Sequence, residues 1–266
     1  MKRIALEFPA AISSCLVLLL IFVSSNLRAQ QTSPVEVEFR MPVQIRNAQE
    51  IPFKTTDFTF VRLQYSCSMR SRCRSAWLTD YPDADQAFSN QVQSLTDLSV
   101  NPDGLVLGVA DPALNQYPFA YIVEAGQMSL SDDDALALRN YLLGGGFLMV
   151  DDFWGEYEWE IFAEALGKVF PDRTPVEVAV DHEIFQSFYY LSESRQVPGR
   201  GGARSGTEPR LMGIYDDNGR LMVIICHNHD FGDAWEHIDD PWYPKEHSMG
   251  FAVPMGINIV TYALSH

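Results

Sequence analysis

Apolar and polar positions along the chain switch between two periods. Phe58-Thr-Phe-Val-Arg-Leu-Gln-Tyr65 alternates apolar and polar residues, the two-residue period of a strand. From Ala84 to about Leu95 the spacing lengthens, and Phe88, Val92 and Leu95 fall on one face of a predicted helix. Leu105–Val109 reads as a short strand and Phe119–Val123 as a buried one. The clearest unit follows. Ser131 stands as an N-cap before Asp132, Asp133 and Asp134, acidic residues that suit the positive end of a helix. Ala135, Leu138 and Leu142 share a face, and Gly144-Gly-Gly146 ends the helix. Phe147-Leu-Met-Val150 then runs without a polar break into Asp151-Asp152, as a strand covered on both faces does. The pattern continues with a helix over Tyr157–Val169 and a strand over Val176–Val180. A hairpin of Arg210–Tyr215 and Leu221–Cys226 turns at Asp216-Asp-Asn-Gly219, and a last helix covers about Val253–Leu264. Residues 195–209 are glycine-rich and predict a flexible loop. These glycines neither follow a strand nor open a helix, so they form no phosphate-binding motif. Strands alternating with helices predict a three-layer α/β sandwich with a mostly parallel central sheet.

The N-terminus adds an address. Lys2 and Arg3 precede an uncharged run from Phe8 to Ser25, and Asn26-Leu-Arg-Ala29 follows. This is the pattern of a secretory signal cut after Ala29. The run also reaches the lower limit for a membrane span, so a retained anchor stays open. Residues 30–55 are polar and proline-bearing and read as a linker or edge segment; residues 56–266 form the domain. The net charge of −16 would repel nucleic-acid phosphates and anionic lipid, which leaves the N-terminal segment as the route to a membrane. Export implies an oxidising compartment. Cys67 and Cys73 flank a polar pentapeptide and are expected to close a disulfide, a loop constraint of about 2 kcal/mol.

Candidate chemistry follows from topology. In open α/β sheets, ligands bind outside the carboxyl ends of the strands. Three groups fall there: Asp80, Tyr81, Asp83 and Asp85 after the first strand; Asp151, Asp152 and Trp154 after Phe147–Val150; and Cys226, His227, Asn228, His229, Asp230, Asp233, Trp235 and Glu236 after Leu221–Ile225. Parallel strands would put all three on one rim, where carboxylates beside imidazoles can hold a divalent cation or act as an acid/base pair. Each group also has a plain reading. Asp80 and Asp83 would cap the next helix, Asp151 and Asp152 would accept loop hydrogen bonds, and the Asp/His segment would be a solvated loop. Cys226 reads as a small buried hydrophobe rather than a nucleophile served by His227 or His182. His237, His247 and His266 read as surface residues.

Several segments together resemble the bacterial DUF4159 family: Phe58–Tyr65, Thr79-Asp-Tyr-Pro-Asp-Ala-Asp85, Tyr117-Pro-Phe119, Leu142–Trp154, Ile225-Cys-His-Asn228 and Gly232-Asp-Ala-Trp-Glu236. The resemblance implies a fold like that of class I glutamine amidotransferases, a flavodoxin-like sandwich. It places Asp80, Asp83, Asp85, Asp151, Asp152, His227, Asn228, Asp230 and Asp233 in family motifs without giving them roles. No Gly-x-Cys-x-Gly elbow is present, which argues against glutaminase chemistry. The expectation is a non-catalytic binding or assembly module of the cell envelope, with envelope proteins or a small polar ligand as partners and a pocket for that ligand or a divalent cation at the rim. The alternative is a metal-assisted hydrolase working through Asp151, Asp152, His227 and Asp230.

Overall fold

The computed structural model describes residues 56–71, 73, 75–200 and 208–266. The expected signal or anchor (1–29), the linker (30–55) and part of the glycine-rich loop (201–207) lie outside the described residues. In chain order the strands are β1 (Phe58–Gln64), β2 (Ser66–Cys67), β3 (Val100–Gly108), β4 (Phe119–Val123), β5 (Met128–Ser129), β6 (Phe147–Phe153), β7 (Val176–Glu177), β8 (Arg210–Tyr215) and β9 (Leu221–His227). The α-helices are α1 (Asp83–Leu95), α2 (Asp132–Leu143), α3 (Gly155–Val169), α4 (Phe231–Glu236) and α5 (Val253–Ser265).

Seven strands form the central sheet in the order β3-β1-β4-β6-β9-β8-β7. The first five of these pair in parallel, and β8 and β7 add antiparallel. The three-layer α/β sandwich with a mostly parallel sheet is therefore the observed fold. The chain leaves β1 to one side, forms β3, and returns across β1 to form β4. Strand order thus reverses between β1 and β4, the kind of place where open α/β sheets generally bind ligands.

Helices on both faces explain why polar positions in β1 are buried. Thr59 and Arg62 interrupt the apolar pattern yet are 9% and 0% exposed, so the two-period alternation of Phe58–Tyr65 does not mark a solvent face. On one side α1, α4 and α5 meet. The rings of Phe88 and Trp235 stack with centroids 4.2 Å apart, and Gly256 of α5 leaves room for both. On the other, α2 and α3 pack against each other, and Phe162 of α3 meets Phe153 at the end of β6. The capping box at Ser131 forms as the sequence predicts, with the serine side chain accepting from Asp134 N and Asp134 answering at the cap amide.

Two strands differ from their sequence pattern. Val176, Val178 and Val180 alternate like a strand, but β7 stops at Glu177. Val178 alone of the three is buried, and the chain turns at Ala179–His182. The strand read from Leu105 begins earlier, at Val100. Pro102-Asp103-Gly104 bulge out of register with β1, and Gly104 sits at φ 60°. Cys67 and Cys73 are joined by a disulfide beside the small β2–β5 ribbon. A disulfide of this kind fits an oxidising compartment outside the cytoplasm.

Candidate functional site at the carboxyl rim

The non-glycine residues with positive φ among those described are Asp80, Glu124, Asp152 and Asn228. They stand beyond or at the carboxyl ends of β1, β4, β6 and β9 respectively. Left-handed backbone in such residues costs about 1–3 kcal/mol each. The sheet therefore concentrates its strain at one rim. At Asp152 the left-handed turn also swaps faces. Phe147 packs on Tyr262 of α5, while Phe153 packs on Phe162 of α3.

Arg62 builds the first part of the site. Its side chain is fully buried and makes a forked pair with Asp85 of α1, Nε lying 3.0 and 3.1 Å from the two carboxylate oxygens. Its Nη1 donates to the carbonyls of Trp77 and Thr79 at 3.0 and 2.8 Å. The guanidinium thus fastens the segment that delivers Asp80 to the rim. Asp85 is committed to that pair, Tyr81 lies half-buried with Arg62 5.7 Å from its ring centroid, and Asp83 points to solvent. Neither Asp80 nor Asp83 caps α1. Its N-cap is Pro82, with no side-chain cap, because the chain enters the helix through the Tyr81–Pro82 turn.

Asp151 builds the second part. One oxygen, Oδ2, accepts from Tyr121 Oη at 2.9 Å and from the amides of Phe231 and Gly232 at 2.8 and 3.1 Å. The loop-acceptor reading of Asp151 holds, and the loop it anchors is the start of α4. The other oxygen, Oδ1, is buried without a hydrogen-bond partner. Asp230 is the N-cap of α4 and accepts from Asp233 N at 2.8 Å. The His227–Glu236 segment is no solvated loop: His227, Asn228, His229, Asp230 and Asp233 are all at most 8% exposed.

These anchors bring three carboxylates together. Oxygens of Asp80, Asp152 and Asp230 lie within 4.8 Å of one another. Glycines make the room. A Cβ on Gly232 would stand 2.7 Å from Asp80 Oδ2, 3.2 Å from Tyr121 Oη and 3.5 Å from Asp230 Oδ1. A Cβ on Gly199 would stand 2.6 Å from Asp230 Oδ2. Asp80 Oδ2 is buried and has no hydrogen-bond partner. Trp154 Nε1 donates to Asp152 Oδ1 at 2.7 Å and fixes that side chain.

Electrostatics follow from burial. The Asp80 carboxyl is pushed up to about 8 by desolvation and by the neighbouring charges of Asp233 and Glu236, against the pull of Arg62. Desolvation raises Asp151 to about 7, against the pull of Tyr121 Oη and the amides of Gly232, Asp152 and Phe231. Asp152 is held well above the usual carboxylate range by burial and by Glu124, and Asp230 by burial and by Asp152. Several buried carboxyls in mutual reach cannot all ionise without a counter-cation. Hard oxygen donors in such a set suit Ca²⁺, Mg²⁺ or Mn²⁺.

A model of the family described as "Domain of unknown function (DUF4159)" matches residues 59–264. The chain belongs to the DUF4159 family. No curated protein matches the chain. The DUF4159 match spans every rim residue discussed above, from Asp80 to Glu236.

Other residues singled out in the sequence take supporting places. His227 is outside the carboxylate trio. Its ring stacks 4.9 Å from Phe153, its Nε2 lies 3.2 Å from Gly155 O, and burial lowers its pKa. Asn228 ties two loops, accepting from Gly155 N at 2.8 Å and donating to Glu208 O at 2.6 Å. Trp235 is a core residue whose indole donates to Ala252 O at 3.2 Å. Cys226 is fully buried and its thiol is pushed well up by burial, as a small hydrophobe would be. Of the three histidines expected on the surface, His237 is 8% exposed, because Trp242 and Tyr243 fold over it. Sequence reasoning missed Arg62, Tyr121, Glu124 and His237. A charged residue inside an apolar strand was the available signal for Arg62.

Proposed function

We propose that this DUF4159 domain is an exported binding module of the cell envelope whose rim trio, Asp80, Asp152 and Asp230, holds a hard divalent cation. The observation that carries the reading is the convergence of those three carboxylates within 4.8 Å of one another, with one oxygen of Asp80 and one of the fully buried Asp151 lacking hydrogen-bond partners. A dication there would relieve the repulsion among buried carboxyls and supply the charge that the site lacks. The trio lies at the carboxyl edge of the sheet, where α/β folds take ligands, and a bound cation would be the contact offered to a polar ligand or an envelope partner. The N-terminal segment would deliver the domain outside the cytoplasm, released after Ala29 or held as an anchor.

Thermal melts of chelator-stripped protein test the reading. At about 100 times its Kd, a cation adds about 2.7 kcal/mol. In a domain of this size, Ca²⁺, Mg²⁺ or Mn²⁺ should then raise Tm by about 5–10 °C, and Asp152→Asn should abolish the rise. No rise with any of the three ions sinks the reading. Ion-dependent cleavage of ester or phosphoester probes by the loaded protein would move the assignment to metal-assisted hydrolysis.

A further inference from the structure

A second group stands beside the trio, on the last turn of α4 and the residue after it. Asp233, Glu236 and His237 follow a three-then-one spacing, so the helix presents them on one side. One ligand atom from each lies within 4.8 Å of the others. This is more than a collection of acids, because the imidazole is oriented. Nδ1 of His237 lies 2.9 Å from the Asp240 carboxylate, which can only accept, so Nδ1 carries the proton. Nε2 then faces Asp233 Oδ1 at 3.6 Å and Glu236 Oε1 at 4.0 Å, both beyond hydrogen-bond length. The ring is held from outside by Trp242, 4.5 Å away between centroids, and its side chain is nine-tenths buried. A carboxylate that fixes the far nitrogen of an imidazole is the arrangement that prepares histidine for a metal.

We infer that His237 Nε2, Asp233 and Glu236 form a second metal site, which takes a borderline dication such as Zn²⁺, with Asp240 as its positioning residue. One nitrogen and two carboxylates match that class of ion, whereas the all-oxygen trio suits harder ones. The inference does not depend on the trio being filled.

Calorimetric titration of Zn²⁺ into the chelator-stripped full chain, in excess Mg²⁺, tests it. The wild type should bind one Zn²⁺ tightly per chain. Asp240→Asn should weaken it by about 10–100-fold. His237→Gln should remove it. Asp152→Asn should leave it in place, which separates this site from the trio: loss of the Mg²⁺ effect with Zn²⁺ binding intact bears on the trio alone. Should His237→Gln fail to fold by circular dichroism, Asp240→Asn decides. Nitrogen chemical shifts of the wild-type imidazole give an independent reading, with Nε2 expected to shift as a metal ligand. Unchanged Zn²⁺ affinity in Asp240→Asn, or an imidazole still protonated at both nitrogens under saturating Zn²⁺, overturns the inference, since His237 would then be an imidazolium neutralising its neighbours.

Discussion

The carboxyl rim and the α2–β6 corner at the opposite ends of the same strands are built by different rules. At the corner, local preferences and polar groups agree. Ser131 and Asp134 cap α2 reciprocally, the chain turns at Gly144–Gly146, and Arg220 donates to the carbonyls of Leu142 and Gly146 at 2.5 and 3.1 Å. At the rim the preferences conflict. Non-glycine residues take left-handed backbone, carboxyls are buried together, and oxygens of Asp80 and Asp151 lack partners. Sequences relax such conflicts unless something is gained by keeping them, so the contrast separates the part of the molecule built for stability from the part built for a task.

Four experiments strain that contrast, from the largest expected effect downward. Asp85→Ala leaves Arg62 buried and unpaired, and should cost about 3–5 kcal/mol in urea unfolding. Because Arg62 also holds Thr79, the same variant should blunt the cation-dependent rise in Tm. A loss well below 2 kcal/mol would show that the rim does not lean on this pair. The second experiment is a pH series on stripped protein. Asp80 and Asp151 have folded values raised from 3.8 to about 8 and about 7. The folded state therefore keeps protons that the unfolded chain has released. The stability these groups give is full below about pH 4 and drains away as pH climbs to about 8. Melts should show Tm falling across that window, and saturating cation should flatten the fall. A flat profile in stripped protein would mean that the carboxyls ionise freely. Third, Asp152→Asn should raise the stability of the stripped protein by about 1 kcal/mol, since it removes the cost of burying a carboxyl that the unfolded chain ionises and keeps an acceptor for Trp154. Fourth, Ser131→Ala should lower stability by about 1 kcal/mol at any pH and ion content. Opposite signs for the last two substitutions are the sharpest form of the comparison.

Legibility in the sequence divides along the same line. The corner was readable because Ser131, the aspartates after it and Gly144-Gly-Gly146 each act locally. The parallel order followed from Phe147–Val150, an unbroken apolar strand after a capped helix. The rim was readable as a location, since topology sends Asp80, Asp152 and Asp230 to one edge wherever the strands are parallel. Its internal arrangement was not. Whether Asp85 faces the rim or Arg62 depends on which side of α1 meets β1, and α1 begins at Asp83, one residue before the expected start. Asp151 and Asp152 look equivalent in sequence, yet alternation and a left-handed turn give one to the amides of α4 and the other to the trio. The short helix α4 carries no apolar period long enough to be seen, so Trp235 read as a ligand contact rather than as core.

Gly199 and Arg200 give the rim a mechanical connection. The Arg200 amide donates to Asp233 Oδ2, Gly199 lies against Asp230, and Tyr243 Oη holds Pro198 O at 2.7 Å. The Asp233 carboxylate serves both structures through different oxygens, Oδ1 toward His237 and Oδ2 toward the Arg200 amide. Ion and loop therefore share one side chain, and thermodynamic reciprocity sets the consequence. An ion that draws Asp233 away from the Arg200 amide loosens the strap, and a partner that seizes the strap alters ion affinity by the same factor. The rim would then work as an exchange point, converting occupancy by a small charge into the posture of a surface segment that another molecule can feel.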